Sequence, residues 1–185
     1  MRSSTIIVTA LCVVLAAAEV MIYVTNPFNV TSTSILSRFT GVEVFGVPAT
    51  SMEPTIAQGT LAIVLNWPYL VGDPRVGDIS VFRIPASPND TYLKRVVAAA
   101  GDRISMHMCE VTRNGSKLQE GYIYVDPRRL TRDPSLCEVP EQVVPAGSYY
   151  VLGDNRTNSA DSRFLGPIPR SAFVGRFWHG GSVAP

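Results

Sequence analysis

Charge is scarce in this 185-residue chain: Asp, Glu, Lys and Arg together make up 17% of it. That is too little for a coiled coil or a solvated acidic or basic tail. The two signs nearly cancel, 16 basic against 15 acidic side chains, for a net charge of +1. An electrostatic grip on nucleic acid is therefore not expected. Cysteine is rare, three residues with no CxxC pair, which excludes a zinc ribbon and a disulfide-dense scaffold. Histidine occurs twice and lysine twice, so few side chains can serve as a base. No long 3.6-residue amphipathic period and no internal repeat occur, which argues against a helical bundle, a helix-turn-helix or a solenoid. Apolar residues, at 46%, with 14 Gly and 14 Pro, point instead to a folded chain of short elements joined by turns.

The apolar residues are unevenly spread. Thr5 to Val24 reads TIIVTALCVVLAAAEVMIYV, with Glu19 as its one charge. As a helix it spans about 30 Å, the thickness of a bilayer core. A cleavable signal peptide would put its cut at Ala16-Ala17-Ala18, yet the apolar run continues beyond, to Val24. An anchor needs that continuation and a signal peptide does not. Arg2 precedes the run, and no Lys or Arg follows it before Arg38. That asymmetry keeps the amino terminus in the cytoplasm and the rest of the chain outside. The expected location is the cytoplasmic (inner) membrane, single-pass, with the catalytic domain on the extracytoplasmic side. Disulfides form in such a compartment. Cys109 and Cys137 are then a candidate pair closing a loop of about 28 residues, worth about 3 kcal/mol in the chain-entropy view.

The remainder reads as mainly β. Strand-like runs are expected at 41–47, 60–65, 78–84, 92–98, 122–125, 148–152 and 172–178, with turns at 73–78, 85–90 and 100–102. Residues 103–145 are more polar and carry both spare cysteines. The expected organisation is a tip and anchor at 1–25 and a linker at 26–40. A catalytic β domain of 41–102 and 146–178 follows, interrupted by a satellite insertion at 103–145 and ended by a tail at 179–185.

Three segments carry polar groups where chemistry needs them. Pro48-Ala49-Thr50-Ser51-Met52-Glu53-Pro54-Thr55 follows an expected strand and enters a turn, where Ser51 is a candidate nucleophile. A serine nucleophile needs a base. His107 sits in the satellite and His179 in a glycine-rich tail, so neither is well placed for a triad. Lys117 lies in an Asn-Gly turn. Lys94 instead lies inside the apolar run Tyr92-Leu93-Lys94-Arg95-Val96-Val97. Burial there would lower its pKa, because desolvation disfavours the ammonium, and a neutral amine can take the serine proton. The third segment, Gly153-Asp154-Asn155-Arg156-Thr157-Asn158-Ser159-Ala160-Asp161-Ser162-Arg163, lacks the glycine and glutamate positions of a calcium loop. It reads as a hydrogen-bonded scaffold.

In order and spacing these segments resemble bacterial-type signal peptidase I, a membrane-bound Ser-Lys endopeptidase. SMEPT resembles its nucleophile box, YLKRVVAAAGD its lysine box and GDNRTNSADSRFLGPIP its last box. The resemblance implies Ser51 as nucleophile and Lys94 as general base, with Ser159 hydrogen-bonding Lys94. It implies Asp161 and Arg163 as an ion pair, with Asp154 and Arg95 as further scaffold. The implied fold is mainly β: a single transmembrane helix, then an antiparallel β-sheet catalytic domain with a small β insertion. No metal or organic cofactor is implied. The implied partners are membrane lipid and precursor proteins with signal peptides, bound as an extended strand and cut after small residues in an Ala-x-Ala pattern.

One departure stands out. Many family members carry Ser-Gly before the catalytic Ser-Met, and that first serine donates to the oxyanion; here the pair is Ala49-Thr50. The second donor is then a backbone N–H or the Thr50 hydroxyl, and the tight turn favours the backbone. Rival readings are a conjugation-type pilin-maturation peptidase, a self-cleaving repressor and a catalytically inactive membrane-tethered β adaptor. The intact boxes, the apolar span and the joint presence of Ser51 and Lys94 favour signal peptidase over each in turn.

Overall fold

The computed structural model describes residues 2–28, 30, 34–84 and 87–182. The first element is helix α1, Arg2–Thr25. Its segment Ile7–Thr25 has a mean hydropathy of 2.4, is nowhere buried against the protein, and is long and apolar enough to cross a membrane. Asn26 closes the helix by exchanging two 3.0 Å hydrogen bonds with the Val30 backbone. A short helix α2, Ile35–Thr40, ends at Gly41, whose φ of 67° suits glycine. A side chain there would also meet the Phe28 ring at 2.9 Å. Arg38 of α2 stacks over the Tyr23 ring of α1 at 4.3 Å.

Eleven strands follow among the described residues. They are β1 Val42–Gly46, β2 Thr60–Leu65, β3 Ile79–Ile84, β4 Ser87–Ala99, β5 Arg103–His107, β6 Glu110–Arg113, β7 Ser116–Lys117, β8 Val139–Val143, β9 Ser148–Leu152, β10 Ile168–Pro169 and β11 Phe173–Ser182. Helices are short: α3 Pro68–Val71, α4 Pro127–Arg132 and α5 Ser162–Leu165. Seven strands form one antiparallel sheet in the order β1-β2-β11-β3-β4-β9-β10, and four form a second in the order β7-β6-β5-β8. The fold is mostly antiparallel β behind one apolar helix.

Alternation along the strands builds the core. Val81, Leu93 and Val174 pack with Val47, Met52 and Val64. Their neighbours Phe82 and Phe173 pack with Tyr69, Val96 and Tyr149. A third cluster joins the two sheets: Ile104, Met106 and Val139 against Val97, Tyr150 and Leu152.

Two expectations fail. Residues 122–125 form no strand; Tyr124 makes one isolated parallel bridge to Asn155, because the segment spends its backbone bonds on the 154–156 loop. The turn expected at 85–90 is shorter. Ile84 pairs with Ser87, so β4 begins at Ser87 and runs 13 residues; Pro85 and Ala86 lie outside the described residues.

Cys109 and Cys137 are disulfide-bonded, with Cα atoms 4.3 Å apart. The bridge ties the β5–β6 hairpin to the turn at Pro134–Cys137. Replacing both cysteines by Ser should lower stability by about 3 kcal/mol, read as the shift of a urea unfolding curve. An unchanged midpoint would show that the bridge contributes nothing to the folded state.

Candidate active site

Ser51 sits in the turn that follows β1, and Lys94 sits in β4. Leu93, its neighbour on β4, packs on Met52, the residue after Ser51. Lys94 is 5% exposed. Its Nζ donates to Ser51 Oγ at 2.8 Å and to the Leu93 carbonyl at 2.8 Å. The lysine pKa is lowered to about 8, first by burial, against the pull of the Asp161 and Asp154 carboxylates. Burial wins for a reason visible in the pairing. Asp154 is held by Arg95 at 2.7 and 2.9 Å, and Asp161 by Arg163 at 2.8 Å through both oxygens. Each carboxylate already has its own cation, so little field is left to hold a proton on Lys94.

The loop 153–163 braces both residues. Asp161 accepts from the Gly153 N–H at 2.9 Å. Gly153 is required where it stands, since a Cβ there would lie 2.6 Å from the Ser51 carbonyl oxygen. Asn155 N donates to that same oxygen at 3.1 Å. Thr50 Oγ1 accepts from Asn158 Nδ2 at 2.7 Å. Ser159 departs from expectation. Its Oγ is buried without a hydrogen-bond partner and does not bond Lys94, whose Nζ is engaged by Ser51 and the Leu93 carbonyl.

Several supporting residues were not singled out from the sequence. Arg156, 1% exposed, pairs with Glu120 at 2.6 and 3.1 Å and donates to the Gly153 and Cys109 carbonyls. Tyr122 lies under the Arg95 guanidinium at 3.9 Å and donates to Glu120 at 2.8 Å. Thr55 Oγ1 donates to Asp154 at 2.5 Å. Glu120 and Tyr122 come from the polar stretch between the two cysteines. With Asp154 and Asp161 both nearer to Arg156 in sequence, nothing in the sequence pointed to Glu120, 36 residues away, as its partner.

A depression of about 530 Å³ on one side of Ser51 is lined by Phe45, Val47, Met52, Tyr92 and Leu93. A second, of about 410 Å³, is more polar and is lined by Thr50, Ser51, Gln58, Lys94 and Asn158. Among the described residues, no cluster of three His, Cys, Asp or Glu side chains could hold a metal ion.

The family model described as signal peptidase, peptidase S26, matches residues 30–178. A signal peptidase I of Bacillus caldolyticus is 39% identical over 142 residues, covering 71% of this chain and 77% of its own. Thylakoidal processing peptidase 1 of Arabidopsis thaliana is 32% identical over 159 residues, covering 80% of this chain but 44% of the plant protein. Among solved structures, a signal peptidase I from Enterococcus faecalis matches with a TM-score of 0.42 and 22% identity, covering 57% of this chain and 97% of that one.

The lowered lysine pKa carries a stability consequence. Below about pH 8 both states hold the proton, and the folded state bears the whole cost of burying it. Between about 8 and the ordinary value of 10.5 only the unfolded chain stays protonated, so stability rises with pH through that window. The full rise is on the order of 3 kcal/mol. Chemical unfolding in detergent should show it as the difference between wild type and Lys94→Met. A pH-independent difference would contradict the burial account.

Proposed function

The chain belongs to the signal peptidase family, peptidase S26, and we propose that it is a membrane-anchored serine endopeptidase that removes signal peptides from exported precursors. The observation that carries this reading is the 2.8 Å contact from a buried Lys94 amine to Ser51 Oγ at the floor of an open groove. With a pKa near 8, a useful fraction of Lys94 is neutral close to physiological pH. The neutral amine takes the Ser51 proton as Oγ attacks the scissile carbonyl. The ammonium then protonates the leaving amine, and water hydrolyses the acyl-enzyme with Lys94 again as base.

The substrate binds as an extended strand between β1 and β4. β1 pairs with β2 alone. β4 meets β9 only from Arg95 onward, which leaves its Ser87–Lys94 half unpaired on that side. Backbone hydrogen bonds to these edges supply affinity, and side-chain pockets supply selectivity. The depression formed by Phe45, Val47, Met52 and Leu93 is mainly apolar, and small residues of the Ala-x-Ala pattern are its proposed occupants.

The body is seated on the outer face of the membrane that α1 crosses. The Gly41 carbonyl accepts from Asn66 N at 2.9 Å, so Trp67 and α3 lie beside the residues that lead out of the anchor. Trp67 is 47% and Trp178 64% exposed, and Ile35, Leu36, Phe39, Leu70 and Val71 are exposed as well. Tryptophan favours the headgroup level, and this seating brings Ser51 to precursors held in the same bilayer.

Ser51→Ala and Lys94→Arg should each abolish cleavage of an Ala-x-Ala precursor, the latter because a guanidinium keeps its proton. Wild-type kcat should climb as pH rises through about 8. Near-wild-type cleavage by Lys94→Arg would remove the lysine from the base role. Membrane seating has its own readout, since the chain has two tryptophans. In vesicles of lipids brominated near the headgroup, Trp178→Phe should leave a quenched Trp67, and Trp67→Phe a quenched Trp178. Unquenched emission from Trp67 would contradict the seating.

A further inference from the structure

An acyl transfer needs donors aimed at the oxygen that becomes negative. One is in place: among the described residues the Ser51 N–H donates to no protein acceptor. Ala49 offers no side-chain donor. The polarity of the bonds around Thr50 decides where its hydroxyl proton goes. Arg129 Nη1 donates to Asn158 Oδ1 at 2.7 Å, and a guanidinium can only donate. The Asn158 oxygen is therefore turned toward Arg129 and its NH2 toward Thr50. In the 2.7 Å bond between Asn158 Nδ2 and Thr50 Oγ1, the threonine oxygen is the acceptor. Its single proton is left to point elsewhere. The backbone around it is held as well, with the Thr50 carbonyl accepting from Asn155 Nδ2 at 3.3 Å. Thr50, Asn158, Ser51 and Lys94 all line the same 410 Å³ depression.

We propose that the Thr50 hydroxyl is the second oxyanion donor, and that Arg129 and Asn158 are positioning residues that hold its proton toward the reacting carbonyl. This rests on the Ser51–Lys94 reading. When the Ser51 Oγ–C bond forms, the carbonyl π pair moves onto oxygen, which takes hydrogen bonds from Ser51 N–H and Thr50 Oγ–H. The serine proton moves to Lys94. On collapse the pair returns, the C–N bond breaks, and Lys94 returns the proton to the leaving amine. The tight turn alone favours a backbone donor; the Arg129–Asn158–Thr50 relay supplies a hydroxyl instead.

The test uses the full chain in detergent with an Ala-x-Ala precursor peptide. Thr50→Val should lower kcat by about a hundredfold with KM changed less than about threefold, and Thr50→Ser should stay within about threefold of wild type. Asn158→Asp replaces the donor by an acceptor, draws the Thr50 proton back, and should lower kcat at least about tenfold. In a Thr50→Val background the same change should have almost no further effect. The proposal is overturned if Thr50→Val turns over at the wild-type rate while Ser51→Ala is inactive, or if Asn158→Asp costs as much without the threonine as with it. If Ser51→Ala itself cleaves, the Ser-Lys reading falls and takes this inference with it.

Discussion

A lysine buried in an apolar sheet is the constraint around which the rest of the molecule is arranged. Bringing Lys94 Nζ to 2.8 Å from Ser51 Oγ requires β4 and the turn after β1 to approach closely, and the shared cluster of Val47, Met52 and Leu93 holds them there. Keeping the amine poised near neutrality requires that no unpaired anion stand beside it. Asp154 and Asp161 are both close enough to raise its pKa, and each is matched by an arginine. With Arg156 and Glu120 the surrounding charges cancel in pairs. Burial then decides the protonation state.

Those pairs are themselves buried, with Asp154, Asp161 and Arg163 at 4% side-chain exposure or less. Removing one partner of such a pair leaves an uncompensated charge and costs about 3–5 kcal/mol. The geometry of the site loop is accordingly stiff, and its supports reach well beyond the site. Arg156 donates to the Cys109 carbonyl at 3.0 Å, and Arg163 to the Leu136 carbonyl. The disulfide joins the residues at or beside those two acceptors. The second sheet is thus mechanically part of the active-site frame, through its disulfide and through the Glu120–Tyr122 strap.

The chain path joins the apolar helix to the strand proposed to hold the substrate. The residues leaving α1 reach β1 through Gly41, and β1 ends five residues before Ser51. The apolar helix therefore leads, through α2, into the edge strand that is proposed to hold the substrate.

The local features were legible in the residues. The twenty-residue apolar run, the strand-like runs at 60–65 and 148–152 between turn signals, and the choice of Lys94 over Lys117 all follow from where the apolar residues lie and from what a buried amine can do. Lys94 stood out as a candidate because only two lysines exist and one lies in an apolar run, while Ser51 was singled out as nucleophile by the resemblance of its segment to a known box. Tertiary structure decided the rest. Whether residues 122–125 would be a strand or a strap depended on a partner thirty residues away. Glu120, the partner of Arg156, comes from 36 residues away, and the Ser159 hydroxyl expected on Lys94 is left without a partner. The bond chain proposed to direct the Thr50 proton begins at an arginine in α4, far off in sequence. Periodicity reports the faces of an element, because those repeat along the chain; hydrogen-bond polarity between segments distant in sequence does not repeat and exists only once the chain has folded.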